Sequence, residues 1–348
     1  MYSLAVVVDS QNHLFLSVFL KRNCNQLQID EVPLISIVAH PLNGNLLKRL
    51  RIARNIKHWV SQNNNYDGVL ILSDYNYAYR TLVHYCRCNK KPIFLYQDGF
   101  IFFEPWPKTF SGIFKTVIYQ GIKALGFSHL ISYQSFHTNP NLVFSWGGYF
   151  SRTFKSITSS EIVSIGCLMY EKDFKKFQIE EFLDNVILYY GTFYRDIAKD
   201  RMAKIEAINN LKSLIQNEDN ITCDIKLHPL DKNRHYLEQL LQNNSLNSRV
   251  SILGNKFSLS ENIIKYKYII SEFSSETIFA SIFYGNIYFI KNQLNEKHFQ
   301  VLKSFLIKRR IGSNNYFIIN QDLIKTFKAE FFQNFNVAQF EQAIQKYN

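Results

Sequence analysis

The sequence is poor in the residues that interrupt regular structure, with 13 glycines and 7 prolines among 348 residues. Three phosphate or nucleophile signatures are missing. GxxxxGK[ST] is absent, which excludes a P-loop, and GxGxxG is absent, which excludes the usual dinucleotide fingerprint. GxSxG is also absent, so no nucleophile elbow is present. There is no Asp-x-Asp, the pair that commonly holds a divalent metal on sugar nucleotides, and no metal or other cofactor is expected. The five cysteines (Cys24, Cys86, Cys88, Cys167, Cys223) are odd in number and form no CxxC. Cys86-Arg87-Cys88 is too tight for an ordinary zinc pair, even with His84 close by. They read as free thiols of a reducing compartment.

Other absences concern membranes and polyanions. No basic region followed by an apolar core opens the chain, so no signal peptide is expected. The most apolar long stretch, 113–133, is broken by Lys115, Gln120, Lys123 and His129 and does not read as a membrane span. No block of Lys and Arg resembles a nucleic-acid tail, so nucleic acid is not an expected partner. The expected location is the cytoplasm, at the inner face of the membrane. The formal net charge is nonetheless +12, which suits an anionic ligand or peripheral contact with an anionic membrane. Pairs such as Lys90-Lys91, Lys175-Lys176 and Arg309-Arg310 read as solvated surface.

With 47% hydrophobic and 20% charged residues the chain is globular, and its length suits two domains. Apolar runs at 1–8, 32–39, 68–72 and 93–96 alternate with helical patterns at 13–22, 45–63 and 77–88. That order predicts a doubly wound parallel sheet. Residues 100–110 are aromatic and proline-bearing, as expected of a loop or lid. Residues 153–171 resemble a linker. A second alternation follows, with strands at 185–190, 222–227, 249–253, 268–272 and 287–290. Segments 302–308 and 327–347 read as helical. The expected boundaries are an N-terminal domain at 1–160, a linker at 161–184, a C-terminal domain at 185–325, and a helix at 326–348 packing back toward the first domain.

The second domain centres on Ile221-Thr222-Cys223-Asp224-Ile225-Lys226-Leu227-His228-Pro229. An alternating run ends there in a His-Pro turn. Doubly wound sheets bind ligands just outside the carboxyl ends of their strands. A His at that place can donate to a phosphate oxygen or protonate a leaving one. Further on, Ser274-Ser275 stands between a strand and a helix start. An N-cap is the plain reading, and anion binding is compatible with it. Gly191-Thr192, Lys226 and Gly254 complete the nucleotide-side candidates. On the other side, Gln97-Asp98-Gly99 is either a turn or a carboxylate at a strand end acting as general base. Ser10, Gln11, Asn12, Glu104 and Trp106 are acceptor-side candidates.

The ordered trio Gln97-Asp98-Gly99, His228-Pro229 and Ser274-Ser275 resembles the bacterial GT-B sialyltransferases that use CMP-sialic acid, of the lipooligosaccharide and polysialic-acid types. The first acidic position of that family is Gln97 here, leaving Asp98 as the carboxylate. The resemblance implies a GT-B fold, with two doubly wound Rossmann-like domains facing across a cleft. It implies an inverting, metal-independent glycosyltransferase that moves sialic acid from a CMP-sugar donor to a glycan acceptor, for lipooligosaccharide or capsule polysaccharide biosynthesis. Asp98 would activate the acceptor; His228, Ser274 and Ser275 would stabilise the departing CMP. CMP-Kdo and CDP-polyol-phosphate transferases share much of this pattern. A non-enzymatic alternative is a basic membrane- or nucleic-acid-binding protein on a degenerate transferase fold.

Overall fold

The structure is a computed structural model. It describes residues 1–39, 46–72, 77–97, 117, 121, 138–168, 183–191, 196–216, 220–228, 231, 233–254, 259–292, 294–311 and 314–347. The chain divides into two units, Met1–Met169 with Lys328–Asn348, and Tyr170–Phe327.

In the first unit, β1 (Tyr2–Val8) leads into α1 (Gln11–Asn23), β2 (Leu27–Pro33), α2 (Leu34–Val38) and α3 (Leu46–Gln62). Then come β3 (Gly68–Ile71), α4 (Tyr77–Cys88), β4 (Ile93–Tyr96), β5 (Leu142–Ser145), α5 (Gly148–Lys155) and β6 (Glu161–Ser164). Among the described residues the strands pair in the order β2-β1-β3-β4-β5-β6, all parallel. The central strands are apolar without alternation because both faces are covered; β3, β4 and β5 are buried at every position. The order reverses between β1 and β3, a topological switch point.

The second unit contains β7 (Leu183–Tyr190), α6 (Ile197–Gln216), β8 (Thr222–Lys226), α7 (Arg234–Asn243), β9 (Val250–Ile252) and α8 (Leu259–Asn262). It continues with β10 (Tyr266–Ser271), α9 (Ser275–Ala280), β11 (Ile287–Phe289), α10 (Glu296–Leu302), β12 (Leu306–Ile311) and β13 (Asn314–Ile319). Its sheet runs β12-β13-β11-β10-β7-β8-β9. β9, β8, β7, β10 and β11 are parallel, and an antiparallel β12–β13 hairpin is added beside β11. Counted from β7, the parallel strands follow the order 3-2-1-4-5, with the switch point between β7 and β10. Both units are thus doubly wound α/β folds of the Rossmann type, as the alternation predicts.

The edges depart from expectation. The strand expected at 32–39 lies earlier, as β2. It has one neighbour, so it alternates, and Pro33 ends it. The β-branched run behind it buries Leu34, Ile37 and Val38 as the short helix α2. The stretch 153–171, expected as a linker, holds the end of α5 and the edge strand β6. The 302–308 segment, expected as helix, turns into β12 at Leu306. Its exposed Lys308-Arg309-Arg310 is the charge that edge strands carry against further pairing.

The chain ends in α11 (Ile324–Phe331) and α12 (Val337–Gln345). The connection between them runs against the first sheet. Gln333 N donates to Trp146 O at 2.9 Å, Cys167 N to Gln333 O at 2.8 Å and Asn336 N to Ile165 O at 2.8 Å. Phe340 packs on Phe144 with ring centroids 4.8 Å apart, and Glu341 accepts from Gln26 N at 2.7 Å. Gly166 sits in this seam at φ +95°. A Cβ there would strike the Asn334 carbonyl, so this position requires glycine. Gly166→Ala is expected to lower stability by roughly 1–3 kcal/mol, read as a lower urea midpoint. An unchanged midpoint would show that the seam yields freely.

Candidate functional site

The register of the second sheet assembles the site. Ser271 of β10 pairs with Tyr190 of β7, and Tyr190 pairs with Lys226 of β8. One row of residues thus ends three adjacent strands, and Glu272, Gly191 and Leu227 follow it. Gly191 N donates to Lys226 O at 2.9 Å, extending the ladder by one bond. Gly191 brings no side chain, so the end of β7 leaves a gap between those of β8 and β10. This gap adjoins the switch point.

Lys226 is only 3% exposed. Its Nζ donates to Leu227 O at 2.9 Å, which uses one of three N–H donors. Burial pushes the Lys226 pKa down, and the charge of Glu276, at the start of α9, opposes that. Lys226 therefore sits electrostatically against the β10–α9 junction. His228 is half-buried. Burial pushes its pKa down, Lys226 pushes it further, and Asp231 pulls it up, with a net shift below the usual 6.5. The imidazole is therefore neutral at pH 7, with one ring nitrogen as donor and one as acceptor.

Across the gap, Ser274 caps α9. Thr277 N donates to Ser274 Oγ at 3.1 Å and Ser274 N to Thr277 Oγ1 at 3.3 Å, a reciprocal capping box. Ser275 opens the helix at the same strand end. Glu272 is also buried, and its Oε1 accepts from Asn292 Nδ2 at 3.3 Å. Asn292 is held in turn by reciprocal bonds with Asn295, both 2.9 Å. Glu272 and Asn292 were missed in the sequence. An acid at the end of a strand, two residues before a Ser pair, is the signal that pointed to the first; nothing local points to the second.

The structure therefore brings Gly191, Lys226, His228, Ser274 and Ser275 to the carboxyl ends of neighbouring strands. Gly254 lies at the carboxyl end of the next strand out, level with Leu227 by the β8–β9 register. It follows the edge strand β9, is exposed, and has open space around its Cβ position. Thr192 and Pro229 lie outside the described residues, as do Asp98, Gly99, Glu104 and Trp106.

In the first unit, Ser10 caps α1 by accepting from His13 N at 3.3 Å, and Gln11 and Asn12 form the first turn of that helix. Asp9 lies 2.6 Å from His13 Nδ1. Burial pushes the Asp9 carboxyl up, but hydrogen bonds from His13 and Tyr79 and the His13 charge outweigh it, leaving it below the usual range. Gln97 is fully buried. Its Oε1 accepts from Trp146 N at 2.9 Å and its own N donates to Phe144 O at 3.0 Å, so its side chain joins the ends of β4 and β5. Among the described residues no group of three His, Cys, Asp or Glu is placed to hold a metal ion. No helix there is long and apolar enough to cross a membrane.

No family model matches the chain, and no curated protein matches its sequence. Solved structures do match its fold. The Staphylococcus aureus MnaA–UDP structure superposes at TM-score 0.55 with 13% identity, covering 99% of this chain and 95% of that one. The Neisseria meningitidis UDP-GlcNAc 2-epimerase bound to UDP-GlcNAc gives TM-score 0.55 at 14% identity, covering 99% of both chains. The Rickettsia bellii UDP-N-acetylglucosamine 2-epimerase gives 0.53 at 11%, covering 100% of this chain and 96% of that one. At such identities the likeness is one of fold, a pair of α/β Rossmann-like domains.

These neighbours overturn the sialyltransferase resemblance. The Neisseria and Rickettsia structures carry the name of UDP-GlcNAc 2-epimerases, and the ligands named with the MnaA and Neisseria structures are UDP and UDP-GlcNAc rather than CMP-sialic acid. The CMP-sugar donor, the glycan acceptor, the assignment as a glycosyltransferase and the Kdo and polyol-phosphate alternatives fall with it. The physical reason is that short motifs at strand ends report how an anion is held. They do not report what is done to the group attached to it.

Because burial and Lys226 hold the His228 pKa below 6.5, the folded protein takes up that proton less readily than the unfolded chain. This stability term is intact above pH 6.5 and is lost as pH falls through 6.5 to the folded midpoint. His228→Gln is expected to lose less stability than wild type between pH 7.5 and about 5, read from urea midpoints. An identical pH dependence in both proteins would assign the loss to other groups.

Proposed function

We propose that the second unit binds the diphosphate of a UDP-sugar at the carboxyl ends of β7, β8 and β10. On this reading the protein isomerises the sugar while it is attached to the nucleotide, as the 2-epimerase names of its structural neighbours describe. The observation that carries the reading is Lys226. An ammonium buried to this degree with one carbonyl partner is costly unless an anion completes its surroundings. A diphosphate entering over Gly191 supplies that anion. Neutral His228 adds a donor from one side, and the β10–α9 junction with Ser274 and Ser275 closes the other.

The chemistry agrees with such a site. Inverting the carbon next to the anomeric centre requires its hydrogen to leave as a proton. That hydrogen becomes acidic as the bond from the anomeric carbon to the phosphate oxygen breaks and the C–H electron pair forms a double bond; return of a proton to the opposite face and re-addition of the diphosphate oxygen complete the inversion. Groups that stabilise a departing diphosphate therefore serve an isomerase as well as they would serve a transferase. The reading places the protein in the cytoplasm, which suits five cysteines that form no disulfide.

Two measurements test this. Wild type should bind UDP more tightly than CMP by calorimetry, and Lys226→Met should weaken UDP binding by roughly 10- to 100-fold, the value of a charge-assisted hydrogen bond. Proton NMR of UDP-GlcNAc with enzyme should show the 2-epimer appearing. A preference for CMP, or unchanged UDP affinity in Lys226→Met, would overturn the binding reading; binding without any epimer would overturn the reaction assigned.

A further inference from the structure

The connection from β8 to α7 carries His228, and it is fastened by charges with no evident need to be buried. Lys204 and Asp200 stand one turn apart on α6, with side chains 7% and 0% exposed. Asp231, in the connection, has a side chain 1% exposed. Lys204 Nζ lies 2.7 Å from Asp200 Oδ2 and 2.6 Å from Asp231 Oδ2. Asn233 closes the group, with its Nδ2 donating to Asp200 Oδ2 at 2.6 Å and its N to Asp231 Oδ1 at 2.7 Å. Two carboxylates and one ammonium are thus sealed together.

Such a group is a poor source of stability. Desolvating three charges costs about as much as their attraction returns, and apolar residues of similar size often do better. What the group does provide is a fixed position. Asp231 N donates to His228 O at 2.9 Å, so the residue gripped by Lys204 also closes the turn that presents His228. Lys204 and Asp231 line one cavity with Gly191 and Glu272, which sets the group directly beside the strand ends. The Lys204 ammonium is bonded to two carboxylates, those of Asp200 and Asp231.

We propose that Lys204 is a positioning residue of the nucleotide site. By holding Asp231 it fixes the turn after β8, and through that turn it sets where His228 meets the diphosphate. This rests on the UDP-sugar reading above. It follows that the site's affinity depends on a residue that acts through another.

The experiment compares wild type, Lys204→Met and Asp231→Asn by UDP calorimetry, with affinities taken per folded molecule, and by NMR titration of the His228 imidazole. Asp231→Asn keeps the acceptor for Asn233 N and the Lys204–Asp200 pair and removes only the charge that Lys204 grips, so it remains folded if Lys204→Met does not. UDP affinity is expected to fall about tenfold in each variant as the turn loosens. Among the influences on His228 are burial and Lys226, which lower its pKa, and Asp231, which raises it. In Asp231→Asn the imidazole midpoint should drop with the loss of that charge; in Lys204→Met, where Lys226 and Asp231 both remain, a shifted midpoint reports that His228 has moved. If wild type binds UDP and the variants bind it equally well, with the His228 midpoint unmoved in Lys204→Met, this inference fails alone. If wild type does not bind UDP, the nucleotide reading fails and takes this inference with it.

Discussion

A buried ammonium at the end of a central strand constrains everything around it in the second unit. Lys226 can sit there because parallel pairing on both sides of β7 fixes the register, placing Ser271, Tyr190 and Lys226 in one row. A slip of one residue would turn Lys226 to the other face of the sheet. Gly191 leaves the space above the row open, Glu276 offsets part of the charge, and the half-buried His228 is held neutral beside it. The chemistry assigned to the site follows from that local electrostatic need. On the proposed reading, a bound diphosphate completes the surroundings of that cation.

Much of this was legible in the sequence, and the legible parts share a cause. Strands covered on both faces are short apolar runs, so β1, β3, β4 and β10 stand out, and their alternation with helices gives the doubly wound class. The His-Pro turn and the Ser pair are visible as strand-end signals. Edge strands are not visible in the same way. β2 alternates, β6 is short with Glu161 and Ser164 at its ends, and β12 presents Lys308-Arg309-Arg310 to solvent, because an edge has to resist further pairing. Each of the three resembles a helix or a linker when read locally.

The contacts that organise the site are longer in range still. Lys204 meets Asp231 across 27 residues, and Asn292 meets Glu272 across 20. Nothing in either local stretch announces the partner. Gln97 was read beside Asp98 as a member of a motif, while in the fold its amide oxygen ties β4 to β5 through Trp146 N. The sialyltransferase resemblance went wrong in a related way. Its His-Pro and Ser-Ser elements describe how a phosphate is gripped at two strand ends, and enzymes that transfer a sugar and enzymes that isomerise it share that requirement.

A structure of the protein with UDP tests the central claim most directly. The account predicts that the diphosphate lies over Gly191, with a phosphate oxygen about 3 Å from Lys226 Nζ and the His228 ring in contact with the same group. UDP bound elsewhere, or bound at the strand ends with Lys226 still donating only to the Leu227 carbonyl, would contradict it.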